Sequence, residues 1–161
     1  MKEVIIAKDA PAAIGPYSHG VKVGNLLLLS GQIPVNPATG EMPQGIKAQT
    51  EQSLANVKAI LTSQGATLDN VVKTTVFLAD MSLFGEMNEV YAREFCEPFP
   101  ARSAVAVKQL PKSALVEIEV IAGQRIFPVG GGVIKNIVLS LHHGTYKTTS
   151  RDPTGRTNRQ L

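Results

Sequence analysis

IKAQTEQSLANVKAILTSQ at residues 46–64 and VVKTTVFL at residues 71–78 are joined by GATLDN, and the hydrophobic period changes between them. In the first stretch Leu54, Val57 and Leu61 fall at i, i+3 and i+7, while Gln49, Gln52 and Lys58 take other faces. That is the spacing of an amphipathic helix. Gly65 suits the left-handed residue that ends such a helix. The second stretch is rich in β-branched and aromatic residues and predicts a strand over Val71–Leu78. A long helix delivered straight into a strand points to a layered domain, helix on sheet.

Upstream, Val4–Ala7 and His19–Val23 are short strand candidates, separated by Pro11, Gly15 and Pro16. Gly24-Asn25, set between two apolar segments, signals a hairpin. Leu26–Leu29 is a continuous apolar run and predicts a buried rather than half-exposed strand. Three prolines and two glycines make residues 34–45 a loop. Downstream, Ser82 is the expected cap of a second helix whose apolar side is Phe84, Met87, Tyr91 and Phe95, ended by Pro98 and Pro100. Ser103–Val107 and Leu115–Ala122 close the chain as strands around a turn at Leu110-Pro111. The order is β-β-β-α-β-α-β-β. This is the α+β class, a mixed β-sheet with two helices packed on one face. The opposite face has no third helix to cover it, so assembly through the sheet is its natural cover.

The 161 residues suffice for one domain, and 43% hydrophobic with 18% charged residues is a globular balance. Lys8 and Asp9 interrupt the apolar start too early for a signal peptide. No apolar run approaches the roughly 20 residues that span a bilayer. A single cysteine, Cys96, precludes an intramolecular disulfide and fits a reducing compartment. The expectation is a cytoplasmic protein with no membrane partner. The net charge of +3 is unevenly spread. Residues 1–124 hold 10 Lys+Arg against 12 Asp+Glu, a net −2, while residues 125–161 hold 6 against one, a net +5. The basic pI therefore belongs to a C-terminal extension over 124–161, expected to be partly disordered, and does not mark the body as a nucleic-acid binder.

Chemistry has few places to reside. Phe99-Pro100-Ala101-Arg102-Ser103 fixes an arginine behind prolines at the entry to a strand. A planar fork so restrained suits bidentate capture of a carboxylate; the alternative is a surface arginine beside an acidic neighbour. In Val116-Glu117-Ile118-Glu119-Val120 the two acids share one strand face, about 7 Å apart. Neighbours on one strand do not flank a bond as a glycosidase pair does. Either one of them positions a water or both are solvated. Tyr17 and Ser30-Gly31-Gln32 lie at turns, where binding groups concentrate. His19 is isolated, and His142-His143 lack a third ligand, so no metal site is expected. Cys96 reads as a packed thiol on the second helix. Gly130–Gly132 lacks the following lysine of a phosphate loop and reads as a turn.

Taken in order, Ala13-Ile14-Gly15-Pro16-Tyr17-Ser18, Ser30-Gly31-Gln32-Ile33-Pro34, Asn56-Val57-Lys58-Ala59-Ile60, Val72-Lys73-Thr74-Thr75-Val76-Phe77, Phe99-Pro100-Ala101-Arg102-Ser103 and Glu117-Ile118-Glu119 resemble the Rid (YjgF) family of reactive-intermediate deaminases, in particular its RidA branch. The resemblance covers residues 1–123. It implies a chorismate-mutase-like fold, a homotrimer with sites in the clefts between subunits, and hydrolysis of 2-iminobutanoate and 2-iminopropanoate to 2-oxo acids and ammonia without a cofactor. By the same resemblance Arg102 would bind the substrate carboxylate, aided by the backbone of Ala104. Glu117 would hold and polarise the attacking water. Tyr17 would join them in catalysis and, with Ser30, Gly31 and Asn88, line the pocket. Members of this branch commonly carry cysteine where this chain has Ala104. Two other readings stay open at this point: a non-catalytic module binding 2-oxo acids, and an RNA-acting relative, which the body's charge disfavours.

Overall fold

Gly65 marks the change of period in three dimensions as well. In the computed structural model, which describes residues 1–124, it takes φ +68° and ends the helix Ile46–Ser63 (α1). Its N–H donates to the Thr62 carbonyl and that of Ala66 to Leu61, each at 3.0 Å, which satisfies carbonyls the helix leaves free. The readings of the basic extension, of Gly130–Gly132 and of His142-His143 lie outside the described residues.

Six strands form one sheet: β1 Glu3–Ile5, β2 Gly20–Val23, β3 Leu26–Gln32, β4 Val71–Leu78, β5 Ala101–Ala106 and β6 Val116–Gly123. Helix α2, Phe84–Glu94, joins β4 to β5. The strand order is β1-β2-β3-β6-β4-β5, with β4 and β5 parallel and the other pairs antiparallel. The last strand thus inserts between β3 and β4, leaving β1 and β5 as the edges. The order and type of every element match the sequence expectation. Two local expectations do not hold. Ser82 caps nothing: Asp80 Oδ1 accepts the Ser82 N–H at 2.7 Å, and a tight turn over Met81–Leu83 leads into α2. An ionised carboxylate is the better acceptor, and it sits two residues earlier. Nor does α2 reach Cys96; it ends at Glu94, and the thiol is exposed.

Both helices pack on one face. Leu54, Val57, Ile60 and Leu61 of α1 and Met87 and Val90 of α2 meet Leu27, Val76, Leu78 and Ile118 of the sheet, all fully buried. Asn56 is buried on α1 and stitches it to the chain leaving β3. Its Nδ2 donates to the Ile33 and Val35 carbonyls at 3.1 and 2.9 Å, and its Oδ1 accepts from Gln52. The ion pairs Lys47–Glu89, Glu51–Arg93 and Lys58–Glu94 cross the two helices on the outside, where each contributes little.

Among the described residues nothing covers the other face. Leu27 and Leu29 point into the core, but Leu26 and Leu28 are 41% and 37% exposed, which corrects the expectation of a fully buried run. By register Val4, Val21, Leu28 and Ile121 form one apolar row across four strands of that face. The composition of β3 suits burial on both sides; the described residues cover one.

Asn56→Leu should destabilise the protein by about 2–3 kcal/mol, because two carbonyls lose their donor and an apolar group cannot replace it. Urea unfolding checks this: the midpoint should fall at constant slope, and an unchanged midpoint would show that Asn56 does not hold the loop.

Candidate functional site

Arg102 lies in β5, in register with Thr74 of β4. Thr74 is fully buried under α2, where its hydroxyl meets the Tyr91 hydroxyl at 2.8 Å, so Arg102 is on the helix-covered face. Its guanidinium carbon stands 4.5 Å from the centre of the Tyr91 ring and 5.4 Å from that of Phe84. Its Nη1 donates to Asn88 Oδ1 at 2.8 Å. Tyr91 is itself fixed by Thr74 and by stacking on Phe95 at 4.4 Å. Burial raises the Tyr91 phenol above its ordinary value against the opposing pull of Thr74 and Arg102, so the ring stays neutral at ordinary pH. The fork is thus oriented by two aromatic faces and a neutral amide. Asn88, Tyr91, Phe99, Pro100 and Arg102 line an open cavity of ≈ 320 Å³.

Ala104 follows on the same face. Val107 N–H donates to Leu78 of β4, and strand alternation turns the Ala104 N–H toward the free edge of β5. The residue type therefore matters less there than the direction of its backbone.

Glu117 belongs to the other face. Val116, Ile118 and Val120 fill the core, and Glu117 and Glu119 alternate with them, as the period of 2 predicts. A Cβ on Gly31 would overlap the Glu117 carboxylate and lie 2.8 Å from its Cδ, so glycine is what lets this acid lie against β3. Among the described residues Glu117 has no ion pair. Burial raises its carboxyl above the ordinary value, and the neighbouring charge of Glu119 pushes the same way.

Tyr17 is 51% exposed, its hydroxyl accepting the Ile14 N–H at 3.3 Å and keeping its own proton to donate. The Ser30 hydroxyl donates to the Ser18 carbonyl at 2.7 Å, binding the Tyr17 loop to β3. The candidate residues therefore fall into two groups. Tyr17, Ser30, Gly31 and Glu117 gather around β3 and β6; Asn88, Arg102 and Ala104 gather around α2 and β5. Within one chain the groups do not meet. Glu117 pairs with Phe77 and Arg102 with Thr74, so they differ by three residues along β4, about 10 Å, as well as by one strand on each side and by face.

Sequence reasoning did not assign Phe84 and Tyr91 to the arginine, since their helical spacing marks them equally well as core. Cys96 lies in a separate cavity of ≈ 330 Å³ with Asp69 and Glu97. Among the described residues no three His, Cys, Asp or Glu side chains converge as metal ligands, and no helix is long and apolar enough to cross a membrane.

Residues 7–124 match the family described as Endoribonuclease L-PSP. The chain is 56% identical over 123 residues to a RutC family protein of Pyrococcus horikoshii, covering 76% of this chain and 98% of that protein. It is 51% identical over 128 residues to the 2-iminobutanoate/2-iminopropanoate deaminase of Escherichia coli, covering 78% of this chain and all of that protein. Among solved structures it is similar to the YjgF gene product of E. coli, with TM-score 0.73, 51% identity and coverage of 76% and 99%. E. coli TdcF with bound serine is similar at TM-score 0.73, 44% identity and the same coverage.

Glu117→Gln should stabilise the fold at neutral pH. A carboxyl whose folded pKa is raised binds its proton more tightly in the folded state, so stability falls as pH rises from the ordinary carboxylate value through the folded one. The amide removes that loss, together with the repulsion from Glu119. Thermal melts at neutral and acidic pH should show a higher melting temperature for the variant at neutral pH, a gap that closes on acidification. A lower melting temperature at neutral pH would mean that the ionised carboxylate is held by favourable contacts.

Proposed function

The chain belongs to the Rid (YjgF) family, described as Endoribonuclease L-PSP, and from that membership we propose that it hydrolyses 2-imino acids to 2-oxo acids and ammonia. The observation that carries this reading is Glu117, a half-buried carboxylate with no cation partner among the described residues, held against Gly31 with its proton affinity raised. Such a group is a better base for water than a solvated carboxylate.

A protonated 2-imino acid is electrophilic at C2. The Arg102 fork holds its carboxylate, and the outward N–H of Ala104 adds a second donor. Glu117 takes a proton from water as the water oxygen bonds to C2, giving a carbinolamine. The same carboxyl returns the proton to the nitrogen, and as the C–N bond breaks and ammonia leaves, the freed carboxylate takes the hydroxyl proton so that C2=O forms and the 2-oxo acid remains. Tyr17, Ser30, Gly31 and Asn88 line the pocket around C2. No step calls for a cofactor or metal. Positioning and one proton relay supply the catalysis.

Because the two groups of residues lie apart in one chain, the site is proposed to form where Arg102 of one copy faces Glu117 of another, with the bare sheet faces buried in a cytoplasmic homotrimer. Ribonucleolytic action has less support: the net −2 of residues 1–124 offers no general attraction for phosphates.

Light scattering should give three times the chain mass at micromolar concentration, and a stable monomer would remove the shared site. Coupling to a threonine dehydratase and following 2-oxobutanoate tests the chemistry. Arg102→Lys keeps the charge but loses the fork, so it should weaken 2-oxobutanoate binding and abolish most turnover. Glu117→Gln should bind 2-oxobutanoate nearly normally while turnover falls about 10²-fold or more. Wild-type turnover should also decline on acidification with a midpoint above the ordinary glutamate value. Full turnover by Glu117→Gln would remove that residue as the base.

A further inference from the structure

We propose that His19 is a positioning residue whose ring, fixed as the Nε2–H tautomer, clips residues 7–11 to β2 and thereby sets the place of Tyr17. The inference rests on the reading above that Tyr17 serves the pocket.

His19 immediately precedes β2 and is buried, and among the described residues it belongs to no cluster of three His, Cys, Asp or Glu side chains that could hold a metal. Its Nδ1 lies 3.0 Å from the backbone N of Ala7, its Nε2 2.8 Å from the carbonyl O of Pro11. A backbone N–H can only donate and a carbonyl can only accept, so these partners admit one arrangement: Nδ1 bare and Nε2 protonated. The neutral ring satisfies both at once; the other tautomer satisfies neither.

What the ring holds is the root of an irregular segment. Between β1 and β2 the chain has no regular structure, yet Ala7 and Ala10 are buried. The tip is loosely tied: Ile14 is exposed and is linked back only through its N–H to the Tyr17 hydroxyl. The far end is tied to β3 by Ser30, whose hydroxyl donates to Ser18 O and whose N–H donates to His19 O. The loop from Pro11 to Ser18 is therefore pinned at two points, by the His19 ring and by Ser30, with Tyr17 next to the second. Releasing the first leaves Tyr17 on a loop tethered at one end.

Glutamine carries an acceptor and a donor on one carbon and can reproduce the pairing; leucine fills the space with neither. Nitrogen NMR of the wild-type chain reads the tautomer directly, and hydrogen exchange reads the Ala7 amide. The expected results are a protonated Nε2 and a protected Ala7 N–H. Protection should be retained in His19→Gln and reduced at least about 10-fold in His19→Leu. In the coupled dehydratase assay kcat should fall about 10-fold in His19→Leu, with 2-oxobutanoate affinity within about 2-fold, and both should stay near wild type in His19→Gln. A fold defect alone would lower the melting temperature without this split between turnover and affinity. A wild-type ring protonated at Nδ1 would overturn the proposal without any variant. So would Ala7 protection unchanged in His19→Leu, or protection lost with turnover intact. If the wild type itself fails to deaminate, the deaminase reading fails, and the tautomer and exchange measurements still decide whether the clip exists.

Discussion

The architecture follows from a sheet that the described residues cover on one side. Among the described residues two α-helices follow the hairpin, and both close over the same face because β3–α1–β4 and β4–α2–β5 each return to the sheet on that side. The opposite face keeps an apolar row from Val4 to Ile121, and apolar area left in water forgoes roughly 25 cal/mol for each Å² that burial would remove. The same face carries Glu117, four residues along β6 from Ile121. In the proposed assembly, burial of that face would couple subunit contact to the surroundings of the carboxylate, which is why the proposed site is placed between copies.

That coupling explains a local cost. A carboxylate at Glu117, beside Glu119 and with no cation partner among the described residues, is unfavourable for folding and favourable for accepting a proton. Gly31 supports the arrangement sterically, since any side chain there would displace the acid from β3. Residues that serve chemistry commonly do so against stability. Here the opposing terms sit on two facing positions of adjacent strands and can be separated by substitution.

The fold was legible because its elements are periodic and well punctuated. Gly24 and Gly65 sit at positive φ, where the sequence signals turns, and the 3.6-to-2 change at residue 65 separates α1 from β4. The misses share one physical origin: local pattern does not report what lies opposite. Leu26–Leu29 reads as buried because its residues suit burial, and periodicity cannot tell whether the cover is in the same chain. Ser82 looks like a cap, but Asp80 caps the turn that contains it and α2 starts one residue later than a Ser82 cap requires. Cys96 follows an apolar helical stripe, but its helix stops at Glu94. In the candidate site, Arg102 and Glu117 were legible as residue types in constrained settings. Their separation on opposite faces was not, because it depends on strand order, and β6 inserting between β3 and β4 is a long-range fact. Tyr91 and Phe84 were hidden for a related reason: an aromatic under an arginine and an aromatic in a core have the same helical spacing.

The way Arg102 is held argues for a ligand of its own. A structural arginine would satisfy its fork on a carboxylate, and among the described residues this one has no such partner. It has the faces of Tyr91 and Phe84 and the oxygen of Asn88. Aromatic quadrupoles and a neutral amide orient a guanidinium without cancelling its charge. An acidic side chain would orient it too, but would then compete with any incoming anion for the same donors. The entropy of ordering a long side chain is met in advance by the Thr74–Tyr91–Phe95 stack beneath it, so less is lost when a ligand docks. An oriented fork at an open cavity is what a small carboxylate would need to bind in one pose, and in the proposed site one pose is the condition for a water held by the facing copy to reach C2.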